Sequence, residues 1–175
     1  MPVTPFHFGP SGFLGLVFRK WIDVPVFILA NVVVDVEVLA LWLTGIGAPY
    51  HRYCHTLLVG GLVGALWGAA AYPLRPIFKA AMQVLRVPYD ASRVKMVLSG
   101  ILGVWLHVLI DGAYHREVKV FWPSQTTVLW TEAIGRISRE QLVTICLLFF
   151  IAAIVPYALA VVSYRKQNKP KPNRP

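Results

Sequence analysis

Ionisable residues recur every four positions in an apolar stretch of the chain, Gly103 to His115. On a helix, His107, Asp111 and His115 would share one face, because residues four apart are neighbours on its surface. One such residue can be a satisfied core or intramembrane residue. Three are costly, since each unpaired group buried in hydrocarbon costs a few kcal/mol. A bound metal ion is the simplest partner, and the pattern predicts one.

The remaining histidines fall in two other segments. His51 and His55 in H-R-Y-C-H are four apart, which on a helix places both rings on one face, as metal-binding pairs require. Cys54 between them is a weaker candidate ligand, and the two cysteines of the chain form no C-x-x-C motif. His7 lies near the N-terminus and is either a ligand or an interfacial residue.

Two acids interrupt the apolar run N-V-V-V-D-V-E. Asp35 lies well inside it, where an acid is functional by default. Glu37 faces another direction and is an outer partner of a ligand, a general base or an interfacial charge. Arg52 either clamps a phosphate through its planar guanidinium or lies among lipid headgroups. Asn31 either bonds Asp35 or has no role at the site.

The predicted ligands come from four segments, residues 5–8, 31–37, 51–56 and 103–115. They are His7, Asp35, His51, His55, His107, Asp111 and His115. Imidazole and carboxylate favour Zn²⁺, with Mn²⁺ or Fe²⁺ as alternatives. Seven ligands exceed what one tetrahedral ion needs, and His107 to His115 spans about 12 Å on a helix. We therefore expect one to three ions, an arrangement that commonly hydrolyses phosphate esters.

The composition requires a membrane environment for these elements. Of 175 residues, 57% are hydrophobic and 14% charged, which is too apolar for a soluble domain of this size. Residues 21–46, 56–74, 96–114 and 141–164 are each long enough to cross a bilayer. We expect Pro73 and Pro76 to end the second span. The net charge of +9 comes from residues at span ends and in the tail, which favours lipid headgroups over nucleic acid.

The N-terminal segment is too short to span. Residues 12–18 are apolar, and Gly9, Pro10 and Gly12 are expected to break any long helix. A re-entrant half-helix that ends at Arg19 and Lys20 fits this pattern. It would be buried in protein or line a cavity, where irregular backbone is tolerated at membrane depth. No cleaved signal peptide is expected.

Orientation follows from the basic residues. With alternating spans, twelve Lys and Arg lie on one side and five on the other, which places the 75–95 loop and the tail in the cytoplasm. The site would then face outward. We predict an all-α integral membrane bundle of four transmembrane helices with the N-terminal half-helix. Residues 1–166 form one domain, 167–175 a disordered basic cytoplasmic tail, and 124–140 can form an amphipathic helix along the interface.

A family resemblance rests on four motifs in order. They are M-P-V-T-P-F-H-F-G-P, N-V-V-V-D-V-E, H-R-Y-C-H-T and G-V-W-L-H-V-L-I-D, followed by F-W-P at 121–123. Over roughly the first 125 residues the chain resembles the YdjM-like family of bacterial membrane-bound metal-dependent hydrolases, related to the zinc-dependent phospholipase C and P1 nuclease group. The resemblance implies an inner-membrane protein whose ligand positions are those already proposed. His115 matches this pattern less closely. Glu37 stands where the family commonly has a second Asp, and the resemblance gives it no ligand role.

The sequence thus favours a membrane-embedded hydrolase of a lipid or lipid-linked phosphoester, acting at the outer face. Asp35 or Glu37 would accept the proton of water, and Arg52 would hold the anion. Two alternatives remain. The polar stripe can belong to a transporter or sensor of metal ions or protons, or a structural metal can join the helices without catalysis. The sequence leaves the oligomeric state open.

Overall fold

A computed structural model of the chain describes residues 4–47, 49–115, 117–124 and 137–168, and among these all regular secondary structure is helical. A 3₁₀ turn, Thr4–His7, leads into α1, Phe8–Val17. The next helices are α2, Val24–Val34, and α3, Val36–Leu43. Helix α4, Leu57–Ala70, and α5, Arg75–Val84, flank a 3₁₀ turn, Tyr72–Leu74. Helix α6 is Arg93–Tyr114, α7 Arg139–Ala152 and α8 Ile154–Gln167.

Within the described ranges, three helical segments are long and apolar enough to cross a membrane: Val24–Leu43, Arg93–Tyr114 and Glu140–Gln167. A fourth arises if Leu57–Ala70 and Tyr72–Val84, bent by 42°, count as one span. Large apolar side chains cover the outside of the helices, whereas histidine, aspartate, asparagine and serine side chains are buried. This distribution is consistent with a membrane protein, because a soluble protein rarely exposes so much contiguous apolar surface.

Helix α6 is the centre of the bundle and packs most extensively against α4 and α2. Gly64 of α4 faces Gly100 of α6 so closely that a Cβ on Gly64 would lie 2.5 Å from the Gly100 oxygen. The sequence permits this backbone contact because neither residue has a side chain there. The close approach of α4 and α6 brings the residues just before α4 next to the C-terminal half of α6.

Side-chain caps begin the helices that carry the site. Asp23 accepts the Val26 N–H at 3.2 Å at the start of α2, and Thr56 accepts the Val59 N–H at 3.1 Å at the start of α4. Each cap satisfies a backbone donor that the first helical turn leaves free. Tyr89 also donates its hydroxyl proton to Asp23 at 2.9 Å, which attaches the segment after α5 to the start of α2.

The helices differ from the expected ones at several prolines. Residues 75–95, expected as a loop, contain α5, with Pro76 in its first turn, where no N–H is needed. Gly9, Pro10 and Gly12, expected to break any long helix, lie inside α1, which begins at Phe8 and has only ten residues. The span expected at 141–164 is interrupted at Ala153. This break is consistent with Pro156, which has no backbone N–H to donate to the carbonyl oxygen of residue 152.

Some expectations concern residues outside the described ranges. The predicted amphipathic helix at 124–140 falls largely on residues 125–136, and the predicted disordered tail on residues 169–175, so both stay predictions. The end of this region is described: α7 begins at a capping box formed by Ser138 and Gln141, a reciprocal pair of hydrogen bonds typical of helix starts.

Candidate metal centre

Asp35 occupies the break in the first span. The expected continuous helix from 21 to 46 is divided there into α2 and α3, and Asp35 belongs to neither. Its carboxylate reaches His55, which directly precedes the α4 cap, and His107 in the middle of α6. Asp111, one turn beyond His107 on α6, completes the group. Three separate parts of the bundle therefore contribute to one cluster, hereafter the inner group: Asp35, His55, His107 and Asp111.

The spacing of the inner group fits four ligands around one ion. Asp35 Oδ1 lies 3.4 Å from His55 Nε2 and 3.3 Å from His107 Nε2. Asp111 Oδ2 lies 3.1 Å from His107 Nε2 and 3.7 Å from His55 Nε2. Ligands at 2.0–2.1 Å from a tetrahedral ion are about 3.3 Å apart, so these separations match the edges of such a tetrahedron.

Buried ring nitrogens without hydrogen-bond partners also support a metal ion at the inner group. His55 and His107 are fully buried. Within the described part of the chain, His55 Nε2 and both ring nitrogens of His107 have no hydrogen-bond partner, although carboxylate oxygens lie nearby. The two Nε2 atoms lie within ion-pair distance of the Asp35 and Asp111 oxygens, and all of these atoms surround a common point. Buried polar atoms without partners are costly, and a cation at that point would satisfy the two Nε2 atoms together.

Glu37 does not join the inner group but fixes one of its ligands. Its carboxylate accepts the backbone N–H groups of Arg52, Tyr53 and Cys54 at 3.2, 2.9 and 3.1 Å, and contacts His55 Nδ1 at 3.2 Å. An ionised carboxylate only accepts, so Nδ1 carries the proton and Nε2 of neutral His55 keeps its lone pair for a metal. Of the three roles considered for Glu37, its contacts fit the outer partner of a ligand.

His7 lies against the inner group from the start of α1. Its Nε2 lies 3.2 Å from Asp111 Oδ1, and its ring stacks on His107 with centroids 4.2 Å apart. The imidazole is 2% exposed, so His7 is a core residue and not an interfacial one. It contacts the Asp111 oxygen that faces away from the other two histidines, and it therefore positions this carboxylate or binds a further ion.

A second cluster, the outer group, combines His51, His115 and Glu117. His51 Nδ1 lies 2.7 Å from Glu117 Oε1, and the His51 and His115 rings stack with centroids 4.3 Å apart. His51 also connects the two groups, since its Nε2 lies 3.7 Å from Asp111 Oδ2. Burial alone would raise the pKa of Glu117, but the hydrogen bond and charge of His51 lower it, which keeps the carboxylate ionised.

The two helical-face predictions for the histidines are wrong. Residues 51–55 are not helical, and His51 and His55 join different groups. His115 caps α6 in an extended conformation, so it leaves the stripe formed by His107 and Asp111. The expectation that not every residue of this stripe can contact one ion agrees with this division. Glu117 was not identified from the sequence; its position two residues after His115 was the available signal.

Arg52 lies at a cleft of about 260 Å³ beside the outer group. Its side chain donates from Nε to the Pro49 oxygen at 2.7 Å and from Nη2 to the Gly47 oxygen at 3.1 Å. The cleft is lined by cationic, acidic and aromatic side chains together: His51, Arg52, Tyr53, Glu117, Lys119 and Trp122, with Pro49 and Thr56. Arg52 is therefore held by its own loop at the opening of the site, and Lys119 adds a second positive charge.

Two weaker candidates are not ligands in this arrangement. Burial and the nearby Glu37 raise the pKa of the Cys54 thiol to about 11, and Cys54 belongs to neither group. Asn31 is fully buried, and its amide donates to the Ile28 oxygen at 2.7 Å within α2. Its Oδ1 has no hydrogen-bond partner among the described residues.

Comparison of the chain with protein-family models, with curated proteins and with solved structures finds no match.

Proposed function

We propose that this chain is a membrane-embedded, metal-dependent hydrolase that cleaves a phosphoester of a lipid or lipid-linked substrate. The inner group carries the proposal, because two histidine nitrogens and two carboxylate oxygens converge with the spacing of tetrahedral ligands. Nitrogen and oxygen ligands favour Zn²⁺, with Mn²⁺ or Fe²⁺ as alternatives. When bound, such an ion activates water and neutralises charge on a phosphoester.

The membrane arrangement is part of the proposal. The three apolar segments and the bent pair form four spans, with α1 as a half-helix that enters the bundle from one side. The distribution of basic residues supports a cytoplasmic position for the α5 side and a site toward the outer face, in what we propose is a bacterial inner membrane. The motif order supports membership of the YdjM-like family. A site at headgroup depth would meet a phosphate that is still attached to its lipid.

The chain's own side chains have separable roles. Asp35 is the most exposed carboxylate of the inner group, with 22% of its side chain accessible, and can pass a proton to solvent. Glu37 is already engaged by three backbone N–H groups, so it positions His55. Arg52 and Lys119 line the cleft and attract the anion. Phosphate recognition and proton transfer are thus assigned to different residues.

A structural metal is the second candidate, and burial of the inner group favours it. His55, His107 and Asp111 are nearly inaccessible, and closed four-ligand sites are typical of structural zinc. In that case the ion joins α4, α6 and the Asp35 break, and no substrate is turned over.

Metal analysis with a phosphate-release assay tests the proposed function. Detergent-purified wild type is expected to retain metal and to release phosphorylated headgroup or phosphate from phospholipid vesicles or a polyprenyl diphosphate. Asp35→Asn is expected to lose the ion of the inner group and activity, whereas Asp90→Asn, which changes an acid far from the site in sequence, retains both. Metal-loaded wild type that cleaves none of these phosphoesters would contradict the proposal.

A further inference from the structure

The two groups differ in the features that separate closed metal sites from open ones. The inner group offers four ligands and is almost inaccessible. The outer group offers three, and the Glu117 side chain is 35% exposed. Three protein ligands with a vacant position are typical of catalytic zinc sites, and two histidines with one glutamate are a known set. The outer group is therefore the better candidate for a site that exchanges its ligands.

We propose that His51, His115 and Glu117 hold a second, exchangeable divalent cation, distinct from the ion of the inner group. The stacked His51 and His115 rings and the 2.7 Å contact between His51 Nδ1 and Glu117 Oε1 bring the three residues together. The two atoms of this contact, an imidazole nitrogen and a carboxylate oxygen, are both of types that ligate Zn²⁺.

The cleft gives the outer cation access to a ligand. His51 and Glu117 line this cleft together with Arg52 and Lys119. A phosphate that enters it meets two positive side chains and an open coordination position at the outer group. By contrast, the inner group meets the outer group through buried Asp111, with Asp111 Oδ2 3.7 Å from His51 Nε2. The phosphate substrate of the outer group rests on the proposed function. Binding of the outer cation does not, because it follows from His51, His115 and Glu117 themselves.

Stoichiometry and exchange measure the two sites without turnover. Metal-free wild type in detergent is titrated with Zn²⁺, desalted and analysed by mass spectrometry for bound metal, before and after brief exposure to a chelator. We expect about two equivalents, of which about one leaves quickly. Glu117→Gln and His115→Gln are each expected to bind about one equivalent, which leaves slowly. Glu140→Gln, an exposed glutamate of α7, is the matched control and retains two.

Each result decides between the proposals. Wild type that binds a single equivalent, or a folded Glu117→Gln variant that keeps the fast equivalent, overturns the second site. A folded His115→Gln variant that keeps two equivalents also overturns it, because His115 is then not a ligand. If His115→Gln fails to fold, Glu117→Gln decides the question, since its side chain is partly exposed. Two bound equivalents with no phosphoester cleavage leave the second site standing and reject the hydrolase.

Discussion

Adding one methyl group between α4 and α6 should open the helix pair that supports the inner group. A Cβ on Gly64 would lie 2.5 Å from the Gly100 oxygen, 2.7 Å from the Gly100 carbonyl carbon and 2.8 Å from the Ile101 Cα. All three are backbone atoms, so no side chain can rotate away. Ordinary contact begins near 3.4 Å, and Gly64→Ala must therefore separate the helices by about 0.9 Å at this point.

The expected energy and displacement follow from that opening. Overpacking costs about 1–3 kcal/mol, partly offset by about 0.5–1 kcal/mol because alanine favours the helix over glycine. Metal–ligand distances tolerate shifts of about 0.2 Å, so even a quarter of the opening, carried to His55 and His107, exceeds the tolerance. Gly64→Ala should therefore be destabilised by about 1 kcal/mol, within a range of about 0–2.5 kcal/mol, and should bind the inner ion more weakly.

Thermal unfolding in detergent and bound-metal analysis test this expectation. The matched control is Gly12→Ala in α1, where a Cβ would meet no atom within 4 Å. That variant should gain about 0.5–1 kcal/mol and keep its metal. The two Gly→Ala changes thus have opposite predicted signs. If Gly64→Ala is as stable as Gly12→Ala and binds metal like the wild type, the close backbone contact of α4 and α6 is refuted.

Three further predictions concern the site and its support. Glu37→Gln should weaken metal binding about 10–100-fold, because His55 loses the charge that orients it. Competition with a chelating dye measures the affinity, and an unchanged value would show that Glu37 has no role at the site. Chelation should lower the melting temperature of wild type, since a ligand at 100 times its Kd stabilises by about 2.7 kcal/mol. The shift should be smaller for His107→Ala, which lacks a ligand of the inner group, and equal shifts would contradict the inner group. Tyr89→Phe should cost about 1–3 kcal/mol in thermal unfolding, because the buried Asp23 carboxylate loses its 2.9 Å hydrogen bond. The exposed Tyr53→Phe is its control, and equal melting temperatures for the two variants would show that the bond contributes nothing.

The helical class and the apolar spans could be predicted because they depend on local properties. Hydropathy over about 20 residues indicates a span whatever its neighbours are, and the span containing His107 agrees closely with α6. Ligand type is also a property of single residues. Asp35, His55, His107 and Asp111 were all candidates from their chemistry alone, and the structure brings them together.

The division of these candidates into two groups could not be predicted, because it depends on backbone contacts between distant segments. Glu37 holds the 52–54 backbone and the His55 ring from 15 or more residues away, so the spacing of His51 and His55 does not decide where their rings point. The turn of the chain at His115 removes this residue from the α6 stripe and brings Glu117 to His51. The sequence by itself determined an apolar helical chain with metal-ligating side chains. Tertiary structure decided which of these side chains meet, since ligand geometry requires atoms within a few ångströms of one another. The close packing of α4 on α6 and the Glu37 contacts bring the ligand atoms to that distance.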